Sequence, residues 1–167
     1  MHFLPGLLQY LLDSFTIAPI LKEALKCVIM YITETMLTTA TPDKIWKIWT
    51  DVKNWKNWDF GLREALIKGP FQENMEGVAV PEKGPKTGFR ITSCKPNFSY
   101  TITAKLPLAE ITLHRFMGYH NSKTTVTHEV WMEGPLSSVW WSLIGKRYSH
   151  WMPEMMKKLK QIAETPE

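Results

Sequence analysis

Tyr100, Arg115 and His128 are the residues of this 167-residue chain best placed to do chemistry. Each stands in a stretch that alternates apolar and polar residues, and each falls on the apolar parity. Tyr100 shares it with Ile102, Ala104 and Leu106, Arg115 with Ile111, Leu113 and Met117, and His128 with Val126, Val130 and Met132. Period-two alternation marks a strand with one covered face, so the pattern turns a phenol, a guanidinium and an imidazole inward. A polar group buried without a partner costs roughly 2–7 kcal/mol, so these three bond one another, water or a guest. His128 has the chemistry of a proton shuttle near neutral pH; the alternative is a core histidine satisfied by a neighbour. Arg115 has an alternative as well, a strand end with its head in water. His128 and Glu129 are adjacent and point to opposite faces, so they form no dyad, and His114 falls on the outward parity.

No other catalytic constellation is visible. The chain has no G-x-S-x-G, no Gly-rich phosphate loop and no His/Cys cluster with metal-ligand spacing, so neither a metal nor a cofactor is expected. Cys27 and Cys94 lie far apart and read as free thiols of a reducing, cytoplasmic compartment, with a single disulfide as the other reading. Net charge is +4 with a pI of about 9.0. Its Lys and Arg are spread along the chain apart from "MMKKLK" (Met155–Lys160), which favours solubility over a nucleic-acid footprint. The length suits one domain burying roughly 70% of its unfolded surface.

The elements that must position these residues are legible from Met30 onward. "YITETMLTT" (Tyr31–Thr39) is rich in β-branched residues and predicts a strand. Thr41 then offers an N-cap, Pro42 a first helical residue and Asp43 a first-turn acid, while Ile45, Trp46, Trp49 and Val52 recur at helical spacing. A break at Asp51–Asn54 separates a second short helix carrying Trp55 and Trp58. These four tryptophans either wedge the helices against a sheet or line a pocket entrance. Six further strands follow, in "LREALIKGPF", "MEGVAVP", "KTGFRITSCK", "FSYTITAKL", "AEITLHRFMG" and "KTTVTHEVWMEG", with short connections that imply an antiparallel meander. Phe98 joins the inward set and Ser93 is a further polar candidate on it. Ser99, Thr101, Thr103, Lys105, Glu110, Thr112, Glu129 and Glu133 make the other face wet. From Pro135, Leu136, Trp140, Leu143, Ile144, Tyr148, Trp151, Met155, Leu159 and Ile162 recur at three- and four-residue steps, a long amphipathic helix that Pro153 is expected to kink.

Residues 1–29 stand outside this order. They are rich in Leu and Ile, but Pro5, Gly6, Asp13, Pro19 and "KEALK" interrupt the apolar runs well short of the roughly 20 residues of a membrane span. "APILKEALKCVIM" is expected to form a short amphipathic helix that packs on the domain or touches a membrane surface, unless translation starts at Met30.

The order, with "TPDKIWKIWTDVKNWKNWD" (Thr41–Asp59), "GPF" (Gly69–Phe71), "VTHEVWMEGPL" (Val126–Leu136) and "MPEMMKKLKQIAE" (Met152–Glu164), resembles the START and birch-pollen-allergen-like superfamily (SRPBCC), specifically its polyketide cyclase/dehydrase branch. The resemblance spans about residues 30–164. Lys56 replaces a usual proline, and "PEKGPK" is a short stand-in for a longer hairpin. It implies an α+β helix-grip fold: a seven-stranded antiparallel sheet wrapped around a long C-terminal helix, with two short helices after the first strand. The domain is expected over 30–164, with 1–29 as an extension outside the core fold.

A sheet curled around a helix leaves a cavity suited to an apolar guest oriented by few polar groups. The expected lining is Phe89, Tyr100, Leu113, Arg115, His128, Met132, Trp140, Ile144 and Tyr148, with no catalytic residue assigned. The expected function is a binding or carrier protein for a hydrophobic small molecule such as a lipid, isoprenoid or polyketide-like aromatic. The alternatives are a cofactor-free cyclase or dehydratase using the same cavity, with His128 or Tyr100 handling a proton, and an interaction module using Trp131 and the "KNWKNW" surface on protein or nucleic acid. The expected partner is an apolar small molecule, with no nucleic acid and no stable membrane span.

Overall fold

A computed structural model describes residues 30–166. The expectations for residues 1–29, Cys27 and the short amphipathic helix among them, lie outside the described residues. Seven strands form one antiparallel sheet: β1 (Met30–Thr38), β2 (Leu62–Ile67), β3 (Glu76–Pro81), β4 (Thr87–Lys95), β5 (Ser99–Leu106), β6 (Ala109–His120) and β7 (Lys123–Glu133). The spatial order is β1-β7-β6-β5-β4-β3-β2, so β2 to β7 are a meander and β1 closes beside β7. Between β1 and β2 lie α1 (Pro42–Thr50) and a 3-10 helix (Val52–Asn57). The Thr41 side chain accepts from the Lys44 N–H, and Pro42 and Asp43 follow in the first turn, as an N-terminus requires.

The C-terminal helix begins at Ser137, two residues after Pro135, which lies in a turn. It runs as α2 (Ser137–Trp140), a π-helical segment (Trp141–Gly145) and α3 (Lys146–Glu164). A further irregularity thus lies earlier than Pro153, and α3 continues through the proline. Proline removes its own N–H bond and crowds the carbonyl four residues earlier; here Pro153 and Ser149 are both exposed, so that carbonyl is open to water. Gly134, at φ 112°, makes the turn into the helix, and a Cβ there would stand 2.7 Å from the Leu108 carbonyl oxygen. Only glycine lets that turn close onto the β5–β6 hairpin.

Parity along β5, β6 and β7 holds. Ile102, Ala104, Ile111, Met117, Val126, Val130 and Met132 are buried in the core. Two details differ. Phe98 belongs to the turn before β5, beside Asn97 at φ 58°, and is 51% exposed. On the outer face Ser99, Thr112 and Thr127 are buried, because larger neighbours cover them. Trp131 stands opposite Thr112, and Phe116 opposite both Ser99 and Thr127. Thr127 also hydrogen-bonds Thr35 at 2.9 Å.

Candidate binding cavity and its polar floor

Register brings the chemistry-bearing residues into one row. Cys94 pairs with Tyr100, Tyr100 with Arg115, Arg115 with His128, and His128 with Glu34, so one rung crosses β4, β5, β6, β7 and β1. Arg115 stands mid-strand, 3% exposed, so the alternative of a strand end in water is set aside. Its Nη1 donates a short hydrogen bond to the Tyr100 hydroxyl. Its guanidinium carbon lies 4.8 Å from the Trp58 ring centroid and 5.7 Å from that of Trp55, which is cation–π distance.

The aromatic stretch after β1 supplies the roof over this row. Ile45 and Trp49 turn inward from α1, and the 3-10 helix buries Val52 and Trp55. Trp49, Trp55 and Trp58 are at most 4% exposed, Trp46 is half-buried, and Lys47, Lys53 and Lys56 face solvent. Trp49 and Trp58 are core, Trp46 packs half-buried against it, and Trp55 is buried yet borders the cavity described below. An interaction surface built on the "KNWKNW" rings is therefore contradicted, because its two indoles pack against the sheet.

Asp59, which follows this roof directly, is the site residue that sequence reasoning missed. It is 3% exposed, its Oδ2 stands 3.6 Å from Arg115 Nη2, and its Oδ1 accepts from the Gly61 N–H at 3.1 Å. The separation from Arg115 is an ion pair, too long for a hydrogen bond. Burial pushes the Asp59 carboxyl above its ordinary value, against the pull of Arg115 and of the Gly61 N–H. Burial works to lower Arg115, but Tyr100 and Asp59 outweigh it and hold the guanidinium charged. Tyr100 and Tyr148 are both raised, burial being the larger cause in each.

One end of this row opens into a cavity of about 430 Å³ between the sheet and the helix. Phe89, Ile102, Ala104, Leu106, Ile111 and Leu113 form its sheet wall, and Trp140, Ile144, Tyr148 and Trp151 its helix wall. Asp59 and Arg115 form a polar floor, while Lys83 and Arg147 stand among the lining residues nearest solvent. Of the residues expected to line a cavity, Phe89, Leu113, Arg115, Trp140, Ile144 and Tyr148 do so. Tyr100 and His128 lie behind the floor and Met132 lies beside Ile111 of the sheet wall, each at most 2% exposed and none of them in the lining. Tyr100 reaches the site only through its bond to Arg115.

His128 lies in the packed region with ring centroids 5.8 Å from Trp49 and 5.9 Å from Trp58. Neither of its nitrogens has a hydrogen-bond partner among the described residues. The neighbour expected to satisfy it is absent, and burial, then Arg115, hold it well below 6.5. A histidine so placed is neutral at pH 7. Half-buried Cys94 donates to the Phe71 carbonyl at 3.8 Å, and the described residues hold no cluster of three or more metal-ligating side chains. Among them no helix is long and apolar enough to cross a membrane.

No protein-family model and no curated protein matches the sequence. Solved structures do match. The di-domain ARO/CYC StfQ from the steffimycin biosynthetic pathway aligns with a TM-score of 0.66 at 10% identity, over 81% of this chain and 51% of that one. The chain thus spans about half of that protein. Protein CV1439 from Chromobacterium violaceum aligns with a TM-score of 0.61 at 11% identity, covering 81% of this chain and 98% of its own. Ara h 8.0201 gives 0.59 at 10% identity, with 81% and 97% covered. At such identities the likeness establishes architecture, and it agrees with the strand order and gripping helix described above. The chain has a helix-grip α+β fold, which it shares with these proteins.

Proposed function

We propose that this chain is a binding or carrier protein for one hydrophobic small molecule, held between the sheet and the residues from Trp140 to Trp151, with a single carbonyl, hydroxyl or carboxylate oxygen directed at Arg115. The observation that carries the reading is the contrast inside the cavity. Its walls are aliphatic and aromatic, whereas its floor is a guanidinium with one hydrogen bond, to Tyr100, and a loose ion pair to Asp59. A guanidinium has five N–H donors, so several remain for a guest oxygen. An apolar body sealed against these walls gains about 25 cal/mol per Å² buried. Tyr100 and His128, expected in the lining, stand outside it, so anchoring falls to Arg115 and Tyr148, which line the space.

Native mass spectrometry of the purified chain should show a co-purified apolar molecule. An environment-sensitive apolar carboxylate probe should bind with a stoichiometry of about one. Arg115→Met should weaken that probe roughly tenfold or more, the loss of a charge-assisted hydrogen bond. Ala104→Phe, which fills the cavity from the sheet side, should abolish binding while the fold persists. Probe binding unchanged in Ala104→Phe overturns the reading.

One observation favours a second reading, a cofactor-free cyclase or dehydratase. A carboxyl held above its ordinary value lies beside Arg115 and Tyr148 at the cavity floor, an arrangement suited to general acid–base work. Turnover of a poly-β-ketone thioester that is lost in Asp59→Asn, with binding retained, would favour it over the carrier.

A further inference from the structure

We propose that the rim of the cavity is a docking surface for an anionic lipid bilayer. The rim is built from the β5–β6 hairpin tip, the start of the C-terminal helix and the loop between β3 and β4. Leu108 at the tip is 67% exposed, and Leu136, Val139 and Leu143 are 36%, 51% and 56% exposed. Leu136, Val139 and Leu143 recur at helical spacing and so share one side of the helix start. Trp140 and Ile144, their sequence neighbours, turn into the cavity. The two pieces are joined: the Leu136 N–H donates to the Leu108 carbonyl at 3.0 Å, and Trp140 Nε1 donates to the Pro107 carbonyl at 3.0 Å. The four side chains therefore form one apolar ridge, and Leu143 continues it into the cavity wall.

Two features identify the occupant. The first is charge. The segments that bear the rim, residues 82–86, 105–110 and 133–147, carry Lys83, Lys86, Lys105, Lys146 and Arg147 against Glu82, Glu110 and Glu133, an excess of two positive charges. Lys83, Lys86, Lys146 and Arg147 are all exposed, and Lys83 and Arg147 stand at the cavity mouth. Apolar side chains flanked by cations match a surface of anionic headgroups over acyl chains. The second is backbone strain. Leu108 sits at φ 54°, a left-handed position that Gly or Asn fills more easily. A bulky apolar residue held at a solvent-facing tip, against its backbone preference, points to a use for that side chain. A mouth seated on a bilayer lets an apolar molecule pass between membrane and cavity without crossing water. The docking rests on the rim alone, so it stands or falls separately from whatever the cavity holds.

The test is co-sedimentation of the full chain with vesicles of phosphatidylcholine, with and without about one third phosphatidylglycerol. Binding is expected to the anionic vesicles, weakening as salt is raised. Leu108→Asn combined with Val139→Gln should cut the bound fraction roughly tenfold or more, with the melting temperature kept, since Asn accepts the left-handed position. Lys83→Glu, in an exposed loop, should by itself reduce the preference for anionic vesicles, so the test survives if the double variant folds poorly. Binding that persists undiminished in these variants places attachment elsewhere in the chain and overturns the proposal. Absence of co-sedimentation with either vesicle leaves the ridge to a protein partner and overturns it equally.

Discussion

The same sheet and the same helix enclose two unlike interiors. At one end Ile45, Trp49, Tyr100, Val126 and His128 meet Met152, Met155, Met156 and Leu159, all at most 2% exposed. At the other, Phe89, Leu106 and Leu113 face Trp140, Ile144 and Tyr148 across about 430 Å³ of space. Side-chain chemistry does not separate them, since both ends are aromatic and aliphatic. What differs is the roof and the helix. Over the packed end, Trp49 of α1 and Trp58 at the close of the 3-10 helix pack on His128, and Glu164 ties the helix end to β1 by accepting from the Thr39 N–H and the Thr38 hydroxyl at 3.0 and 2.9 Å. Over the open end, the helix passes through the π-helical turn Trp141–Gly145 and is tied to the sheet by Trp140 Nε1 on the Pro107 carbonyl. Such π turns recur where a helix serves a site. Arg115 and Asp59 mark the boundary between the two ends.

The largest test of this contrast removes one indole from each end. Trp49→Ala should cost roughly 3–5 kcal/mol, a fall in melting temperature on the order of 10 °C, because its ring is wholly enclosed and nothing can collapse into the gap. Trp140→Ala should cost less than half as much, since its half-buried ring already borders open space. Equal losses in thermal denaturation would mean that both ends bear the fold alike.

A smaller effect reports how dry the packed end is. The folded value of His128 lies well below 6.5, so the folded state takes up fewer protons than the unfolded chain as the pH drops. Its contribution is intact above about 6.5 and is lost as pH falls from there toward the folded value, at up to about 1.4 kcal/mol per pH unit. The raised Asp59 carboxyl acts with the opposite sign, favouring the fold as it protonates, so the histidine's share is read from the difference between the parent and His128→Leu. Melting curves between about pH 7 and about pH 5.5 should therefore show a loss of roughly 1 kcal/mol that His128→Leu abolishes. Coincident pH profiles for the parent and His128→Leu would place water at His128.

How much of this was legible in the sequence follows the same division. Parity gave the covered face of β5, β6 and β7 because period two is fixed by the strand itself, and it turned Tyr100, Arg115 and His128 inward. It carries no information on depth along the helix. Trp140 and Met155 belong to one three-and-four pattern, yet one lines a cavity and the other is packed. Tyr100 and His128 consequently share the inward parity of the lining residues while sitting behind the floor. Asp59 escaped because it follows a 3-10 turn, where no period says which way a side chain points; the one available signal was a lone acid after four tryptophans with an inward arginine left unpaired. The π-helical turn had no signature beyond Gly145, whose missing side chain leaves room for the Trp141 ring: a Cβ there would stand 2.2 Å from it.

The smallest effect should separate the two ends most sharply. Trp140→Phe keeps an aromatic ring in the cavity wall and deletes the indole donor that ties α2 to Pro107. A hydrogen bond of this kind contributes about 0.5–1.5 kcal/mol net, and an exposed one lies at the low end. Global melting should hence shift by no more than a degree or two. Local opening is another matter, because a segment with few buried contacts opens well below the cost of global unfolding. Between Ser137 and Gly145 only Ser137 and Gly145 are fully buried, whereas Met152, Met155, Met156, Leu159 and Ala163 anchor the rest of the helix. Amide hydrogen exchange should accordingly speed up severalfold from Ser137 to Gly145 in Trp140→Phe, and stay unchanged around Met155 to Ala163. Acceleration spread evenly along the helix would show that it opens as one piece, and the distinction between a gripping end and a yielding end would be lost.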